Sequence, residues 1–379
     1  MLKSRGVLSL GFLSFLTACA TTPSGAQAGA KPAPQLHART YTIYVANESS
    51  DLISRVRFDG NVAVEEKTIA VGIMPADLDG AHGLTVSPRG DYWFVSLAHG
   101  TPFGKVWKFA TGVDTLVDSL TVGSFPASMA LTPDGSGLFV VNFNLYGRHI
   151  PSSVSAVFTP FMRESTRIQT CVMPHGSSIT HDGRRHFSTC MMSDQLVEIS
   201  TEDEEVTRRV LLTPGQERLL PVGDQGAEHA MGGQRCKPTW VAIAPDDSRL
   251  YVPCNGHGEI VELDATTLTV TRRFPTGKGP YNAAVSPDGR FLLATLKGAQ
   301  GLAIIDLGTG AEVRVPTTQP ITHGVAISPD SRYAFVSNEA IGAVRGTVDV
   351  IDLRTKELVA SAQVQYQPGG IAFWQMTGP

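Results

Sequence analysis

Short apolar segments follow one another along most of the chain, separated by Gly, Pro, Asp and Asn. Val, Ile, Thr and aromatic residues dominate these segments, and apolar positions almost never recur at helical spacing. A typical unit runs from His323 through a polar turn to the apolar stretch Tyr333–Val336. The pattern therefore predicts β-strands that are joined by tight turns.

The same unit recurs along the chain, and its first residue can be called the register position. Successive register positions are 42 to 48 residues apart, except for one interval of 64. The long interval predicts an insertion at about residues 213–234, between two units. The seven register positions are His82, Ala127, His175, Thr239, Tyr281, His323 and Gly369.

The two ends of the chain complete one unit between them. The last unit has a first strand, Gly369–Trp374, but no second strand, whereas Tyr41–Asn47 is a second strand without a first. Joining them closes seven units of about four strands into a ring, which leaves no exposed strand edge. The sequence thus predicts an all-β fold, a seven-bladed β-propeller over residues 41–374. A pair of β-sandwiches is the alternative, but it would not explain the single register.

Three strand ends carry a further signature: Tyr44–Asn47, Phe139–Asn142 and Phe335–Asn338. Together with the Ser286–Gly289 turn and the third strand Val348–Asp352, they resemble the YVTN-repeat β-propeller family. That family includes lactonase-like and surface-layer-type propellers, haem d1 propellers and binding modules. The resemblance implies the fold and leaves the activity open.

The N-terminus resembles a bacterial lipoprotein signal. Lys3 and Arg5 precede an apolar run, and Leu16-Thr17-Ala18 leads into Cys19. We expect residues 1–18 to be a signal peptide and Cys19 to be lipidated. Residues 19–40 would be a flexible tether, and 375–379 a short tail. Because Ala20 is not the aspartate linked to inner-membrane retention, we expect an outer-membrane lipoprotein facing the periplasm or the cell surface.

Charge excludes one class of partner. The full chain carries a formal charge of −4, and removing Lys3 and Arg5 with the signal gives −4 − 2 = −6. A sequence pI near 6.2 gives no electrostatic basis for nucleic-acid binding. The hydrophobic content of 42% is typical of a globular protein with a well-filled core.

Imidazole and sulfur are predicted to converge on one mouth of the propeller channel, where first strands begin and second strands end. The repeat predicts that each register residue faces the end of its second strand, so that His175 faces Cys190 and Thr239 faces Cys254. Such donors favour copper, especially Cu(I), and can hold zinc. The predicted metal ligands are His82, His175, Cys190, Met192, Cys254 and His323.

Structural explanations stand beside the metal site. In an exported protein the cysteines can form disulfides, and Cys171–Cys190 and Cys236–Cys254 are candidate pairs with similar spacings in the sequence. An inner-strand histidine can also bond a backbone carbonyl of the next blade. The consensus asparagines Asn47, Asn142 and Asn338, with Glu339, can hold a hard cation as in propeller lactonases, or simply close each strand end.

Three functions remain open from the sequence. The first is a lipid-anchored envelope propeller that binds a metal or another ligand at its channel mouth. The second is a lactonase-like hydrolase with a hard-cation site, and the third is a non-catalytic scaffold for an envelope protein partner. No Gly-x-Ser-x-Gly motif is present, and no catalytic residue can be assigned.

Overall fold

The computed structural model describes residues 39–73, 77–226 and 235–378, and the strands below account for their regular structure. The predicted signal peptide, Cys19 and nearly all of the tether lie outside the described residues. Within the described ranges no helix is long and apolar enough to cross a membrane. The strands are β1 Thr40–Asn47, β2 Leu52–Phe58, β3 Ala63–Ala70, β4 Ala81–Val86, β5 Tyr92–Leu97, β6 Lys105–Ala110, β7 Thr115–Thr121, β8 Pro126–Leu131, β9 Gly137–Asn142, β10 Pro151–Phe158, β11 Arg163–Val172, β12 Pro174–Ile179, β13 Arg185–Cys190, β14 Gln195–Ser200, β15 Glu205–Leu211, β16 Arg218–Leu220, β17 Ala242–Ile243, β18 Arg249–Cys254, β19 Glu259–Asp264, β20 Val270–Pro275, β21 Pro280–Val285, β22 Phe291–Leu296, β23 Gly301–Asp306, β24 Glu312–Pro316, β25 Ile321–Ile327, β26 Tyr333–Glu339, β27 Thr347–Asp352, β28 Glu357–Gln363 and β29 Pro368–Thr377.

These strands form seven antiparallel sheets, which are the blades of a seven-bladed β-propeller. The predicted fold is confirmed, including the closure, because the first blade has the order β29-β1-β2-β3. In that blade Val45 pairs with Ile371 and Ile43 with Phe373. Strand β29 continues to Thr377, so the predicted tail 375–379 in fact begins as paired strand.

The core lies between neighbouring blades. At the junction of the last and first blades, Tyr333 packs edge-on against Tyr41 and Phe58, with ring centroids 5.1 and 5.0 Å apart. In the second blade Trp93 is fully buried and stacks on Phe109 at 4.0 Å. Aromatic and branched side chains on both faces of every sheet therefore hold the blades together.

A β-bulge corrects the predicted strand pairing. Cys190 pairs with Pro174 rather than with His175, and Leu97 pairs with Ala81 rather than with His82. The first strand of each blade carries one extra residue just after this pair, so every register residue lies within the bulge. The predicted facing pairs were therefore wrong by one residue, for a reason that recurs around the ring.

The bulge frees backbone groups that then connect adjacent blades around the channel. The Thr295 hydroxyl donates to the carbonyl of His323 at 2.8 Å, and the Ser337 hydroxyl donates to that of Gly369 at 2.6 Å. Within a blade, the hydroxyl of the second strand accepts from the bulge, as Thr189 does from the Gly176 N–H. The register residues are thus held in place by the same hydroxyl groups that join the blades.

The predicted insertion adds a short fifth strand, β16, to the fourth blade. Residues 227–234, at its end, lie outside the described ranges. The chain re-enters the fifth blade at Cys236 and Lys237, whose N–H groups both donate to the Asp194 carboxylate. This carboxylate fixes the end of the insertion against the fourth blade.

Candidate functional site at the channel mouth

Three of the predicted ligand residues meet in the channel. His82, His175 and His323 are register residues of the second, fourth and seventh blades, and we call them the histidine ring. The centroid of the His82 imidazole lies 6.2 Å from that of His175 and 6.1 Å from that of His323. The structure therefore confirms that these three side chains converge, although they come from distant parts of the chain.

Hydrogen bonds fix two of the imidazoles. Nδ1 of His82 lies 2.8 Å from the carbonyl of Ala127, and Nδ1 of His175 lies 2.8 Å from that of Thr239. A carbonyl only accepts, so Nδ1 carries the proton, and in the neutral imidazole Nε2 is an acceptor. This confirms the predicted bond from an inner-strand histidine to the next blade. It also leaves Nε2 as the nitrogen that carries the lone pair.

Tyr281 lies between His175 and His323 in the histidine ring. Its hydroxyl lies 2.9 Å from Nε2 of His175, to which it donates. Its aromatic ring lies 4.8 Å from the imidazole of His323, between centroids. Tyr281 thereby bridges two of the histidines and occupies the lone pair of one of them.

Two carboxylates and a lysine lie on the mouth side of the ring. Glu48 is 4.0 Å from Nε2 of His82 and 2.8 Å from Nε2 of His99. Glu339 is 3.8 Å from Nε2 of His323 and 3.2 Å from Nζ of Lys297. Each carboxylate thus faces one ring histidine from just beyond hydrogen-bonding distance, while Glu48 also bonds His99 and Glu339 also pairs with Lys297.

Burial decides the charge of the ring. Desolvation lowers the pKa of His175 to about 3, and the nearby His82 and Lys297 act in the same direction. Desolvation likewise holds the pKa of His323 well below its ordinary value, with Lys297 contributing. Both imidazoles are therefore neutral at physiological pH, which is the form that can coordinate a metal.

The pKa shifts of His99 and Glu48, on the mouth side of the ring, favour the charged forms of both side chains. The hydrogen bond to Glu48 raises the pKa of His99. Burial acts to raise the pKa of Glu48, but His82 and His99 outweigh it and hold that pKa below its ordinary value. Glu48 is therefore a partly buried carboxylate that stays ionised at physiological pH.

The other half of the mouth is apolar. Ala98, Phe125, Ala127 and Phe143 form a buried cluster, against which Met173 and Met191 pack. Phe125 contacts the imidazole of His82 at 5.4 Å, between ring centroids. The two methionines thus serve as packing groups, and one face of the ring rests on aromatic side chains.

The predicted sulfur ligands are not available. Cys190 forms a disulfide with Cys171, and Cys254 forms one with Cys236, with Cα–Cα distances of 6.0 and 4.3 Å. The alternative pairing is therefore confirmed, and in this oxidised protein neither Cys190 nor Cys254 is a thiolate ligand. Met192 lies in the loop after β13, where its carbonyl accepts from Arg235, and it does not line the channel cavity.

The consensus asparagines have a structural role. The side-chain amide of Asn47 donates to the carbonyl of Leu52 at 2.8 Å and to the Ser54 hydroxyl at 2.9 Å. That of Asn142 donates to two serine hydroxyls of the neighbouring strand. The interpretation that these residues close the strand ends is confirmed.

Glu48 and Lys297 are site residues that were not predicted from the sequence pattern. Both directly follow the last residue of a second strand, and Glu339 ends β26 at the corresponding place. A comparison of this one position across the seven blades would have found all three. The ionisable groups of the mouth are therefore encoded one residue beyond the asparagine of the repeat.

A cavity of about 290 Å³ lies in the channel next to the ring. The three histidines lie at its polar end, and its walls are largely apolar. The wall residues include Leu84, Met129, Trp240, Val285, Val325 and Ile371.

Known proteins share this fold. The chain is 29% identical over 135 residues to the seven-bladed β-propeller protein Rv1057 of Mycobacterium tuberculosis; the match covers 34% of this chain and only 33% of that relative. A structure titled a putative 6-phosphogluconolactonase from Bacteroides uniformis superposes with a TM-score of 0.64, 15% identity and coverage of 88% and 99% of the two chains. One of the same title from Bacteroides fragilis has a TM-score of 0.63, 17% identity and coverage of 91% and 100%. No protein-family model matches the chain. At these identities the solved structures show the fold alone.

Proposed function

We propose that the protein binds a divalent transition-metal ion at the histidine ring. The observation that carries this proposal is the orientation of His82 and His175, which donate Nδ1–H to a backbone carbonyl and direct the Nε2 lone pair elsewhere, although that of His175 accepts from Tyr281. Metal-binding histidines in proteins are commonly fixed by such a bond from the other ring nitrogen. The low pKa values of His175 and His323 keep those two imidazoles in the coordinating form.

The donor set selects the metal. Since both described disulfides remove thiolates, soft Cu(I) loses the ligands that favoured it. Imidazole nitrogen suits Zn²⁺ and Cu²⁺. Glu48 and Glu339, on the mouth side of the ring, would balance the charge of a divalent ion.

Binding would require a small rearrangement. Imidazoles that share a tetrahedral metal at about 2.0 Å have ring centroids about 5 Å apart, whereas those of His82 and His323 are 6.1 Å apart. Within the described residues no group of three His, Cys, Asp or Glu side chains already forms a metal cage. The histidines would therefore close in by about 1 Å, and Tyr281 would release Nε2 of His175.

The test is metal titration of protein that has been freed of metal with a chelator. Isothermal titration with Zn²⁺ and Cu²⁺ is expected to give one site in the wild type. A His82→Ala/His323→Ala double variant is expected to bind at least about 100-fold more weakly, since it loses two ligands. His181→Ala is the matched control, because His181 is 59% exposed in its side chain and pairs with Asp247 away from the ring.

Two outcomes would reject the proposal: no stoichiometric binding by the wild type, or unchanged affinity in the double variant. The hydrolase and scaffold functions remain predictions from the resemblance. So does the envelope location. We propose a lipid anchor at Cys19 on the strength of the Leu16–Cys19 sequence.

A further inference from the structure

The channel cavity has a different chemistry from the ring above it. No Asp, Glu, Lys or Arg side chain lines it within the described part of the chain, and its three histidines include two that burial keeps neutral. Its walls are aliphatic side chains and the indole of Trp240. An anionic ligand would be desolvated there without a counter-charge, which is strongly unfavourable.

One polar side chain of this cavity has no hydrogen-bond partner among the described residues. The Asn282 side chain lines the cavity, and its carboxamide forms no hydrogen bond within the described residues, although its backbone N–H donates to Thr295. Buried polar groups are normally hydrogen-bonded, so the Asn282 carboxamide requires a ligand or a water as its partner.

The cavity also has a route to solvent. A second cavity of about 320 Å³ shares Met129, Ser178 and Ile243 with the first. It is bordered by Pro88 and His181, which belong to the turns between first and second strands on the face opposite the mouth. Because the two cavities share these wall residues, the channel cavity continues to the turn face.

We propose that the channel is a binding pocket for a small, uncharged organic molecule with an apolar body and one amide-type head group. The molecule enters from the turn face, packs its body on Trp240 and Val325, and exchanges hydrogen bonds with the Asn282 carboxamide. The volume of the cavity fits such a molecule, because about 290 Å³ is near the lower limit of ligand pockets and an apolar cavity of about 150 Å³ holds benzene. This pocket does not depend on metal binding at the ring.

Three probes of similar size separate the contributions of the apolar body, the amide head group and a negative charge: benzamide, toluene and benzoate. Binding is measured on the full chain by ligand-observed NMR and by the change in tryptophan fluorescence, since Trp240 lines the pocket. We expect benzamide to bind most tightly, toluene about tenfold more weakly because it lacks the head group, and benzoate not measurably.

Two variants locate the site. Asn282→Leu keeps the shape and is expected to lower benzamide affinity about tenfold, to the level of toluene, while leaving toluene unchanged. Ala284→Leu adds volume to the cavity wall and is expected to weaken both ligands together. The folding of each variant is checked by circular dichroism before titration.

The proposal is overturned if benzoate binds as tightly as benzamide, if Asn282→Leu binds benzamide like the wild type, or if none of the probes binds. Zn²⁺ titration of Asn282→Leu is the cross-check. It is expected to match the wild type, since Asn282 is not a proposed metal ligand, so loss of the organic ligand and loss of the metal remain distinguishable.

Discussion

Three buried neutral histidines predict that the protein loses stability in mild acid. His175, His186 and His323 all have pKa values that desolvation lowers, to about 3 for the first two. In the unfolded chain each imidazole takes up a proton below about pH 6.5. Because the unfolded state then binds more protons than the folded state, the free energy of unfolding falls as the pH falls.

The size of this loss of stability depends on the pKa of histidine in the unfolded chain. For a histidine whose folded pKa lies well below 5, protonation in the unfolded chain lowers the free energy of unfolding by about 2 kcal/mol at about pH 5 relative to about pH 7.5. Three such groups together cost about 6 kcal/mol, which is comparable with the whole stability of many domains. His99 has a raised pKa, so its bond to Glu48 stabilises the folded state at low pH and offsets part of this loss. The lowered pKa of Glu48 stabilises the folded state above the ordinary carboxyl pKa of 4.5, and this contribution is lost only as the pH falls below that value.

Replacing one of these histidines tests the reasoning. His186 stacks on Phe139 at 5.2 Å, its Nδ1 has no partner among the described residues, and its Nε2 lies 2.8 Å from the Ser177 hydroxyl. His186→Phe therefore retains the ring packing and removes a titrating group, and its loss of the Ser177 bond costs the same at both pH values. Urea unfolding at 25 °C between about pH 7.5 and about pH 5 should then show a loss smaller by about 2 kcal/mol than in the wild type. An unchanged pH dependence in His186→Phe would refute the argument.

Two further predictions concern the cysteines. Replacing Cys236 and Cys254 together by Ala removes a crosslink with a sequence separation of 18 residues. This should lower the free energy of unfolding by about 3 kcal/mol in urea titrations. A double variant of Cys171 and Cys190, whose separation is 19 residues, should lose a similar amount. A loss below about 1 kcal/mol in either variant would contradict the entropic account. Cys19→Ala, expressed in a bacterium with lipoprotein processing, should move the protein from the membrane fraction to the soluble fraction, and an unchanged distribution would exclude a lipid anchor at that residue.

The ring of three histidines was predictable in part. Their identity and their convergence follow from the register, because register positions 82, 175 and 323 must lie around one opening once seven units close. Their local geometry did not follow, since a β-bulge moves each register residue out of direct pairing with the second strand. A bulge adds one residue without a clear signal in hydrophobic alternation, so the pattern alone could not reveal it.

The sequence by itself determined the strands, their number per blade and the closure of β29 on β1. These depend on alternation, turn residues and a repeat, all of which are local or periodic. Only the tertiary structure decided the state of the side chains in the channel. Whether Cys190 is a thiolate or a disulfide, and whether His175 is charged, depends on which groups from other blades lie within a few ångströms and how much water they exclude. The same strand patterns are compatible with either state, because desolvation and cross-blade contacts are properties of the assembled ring.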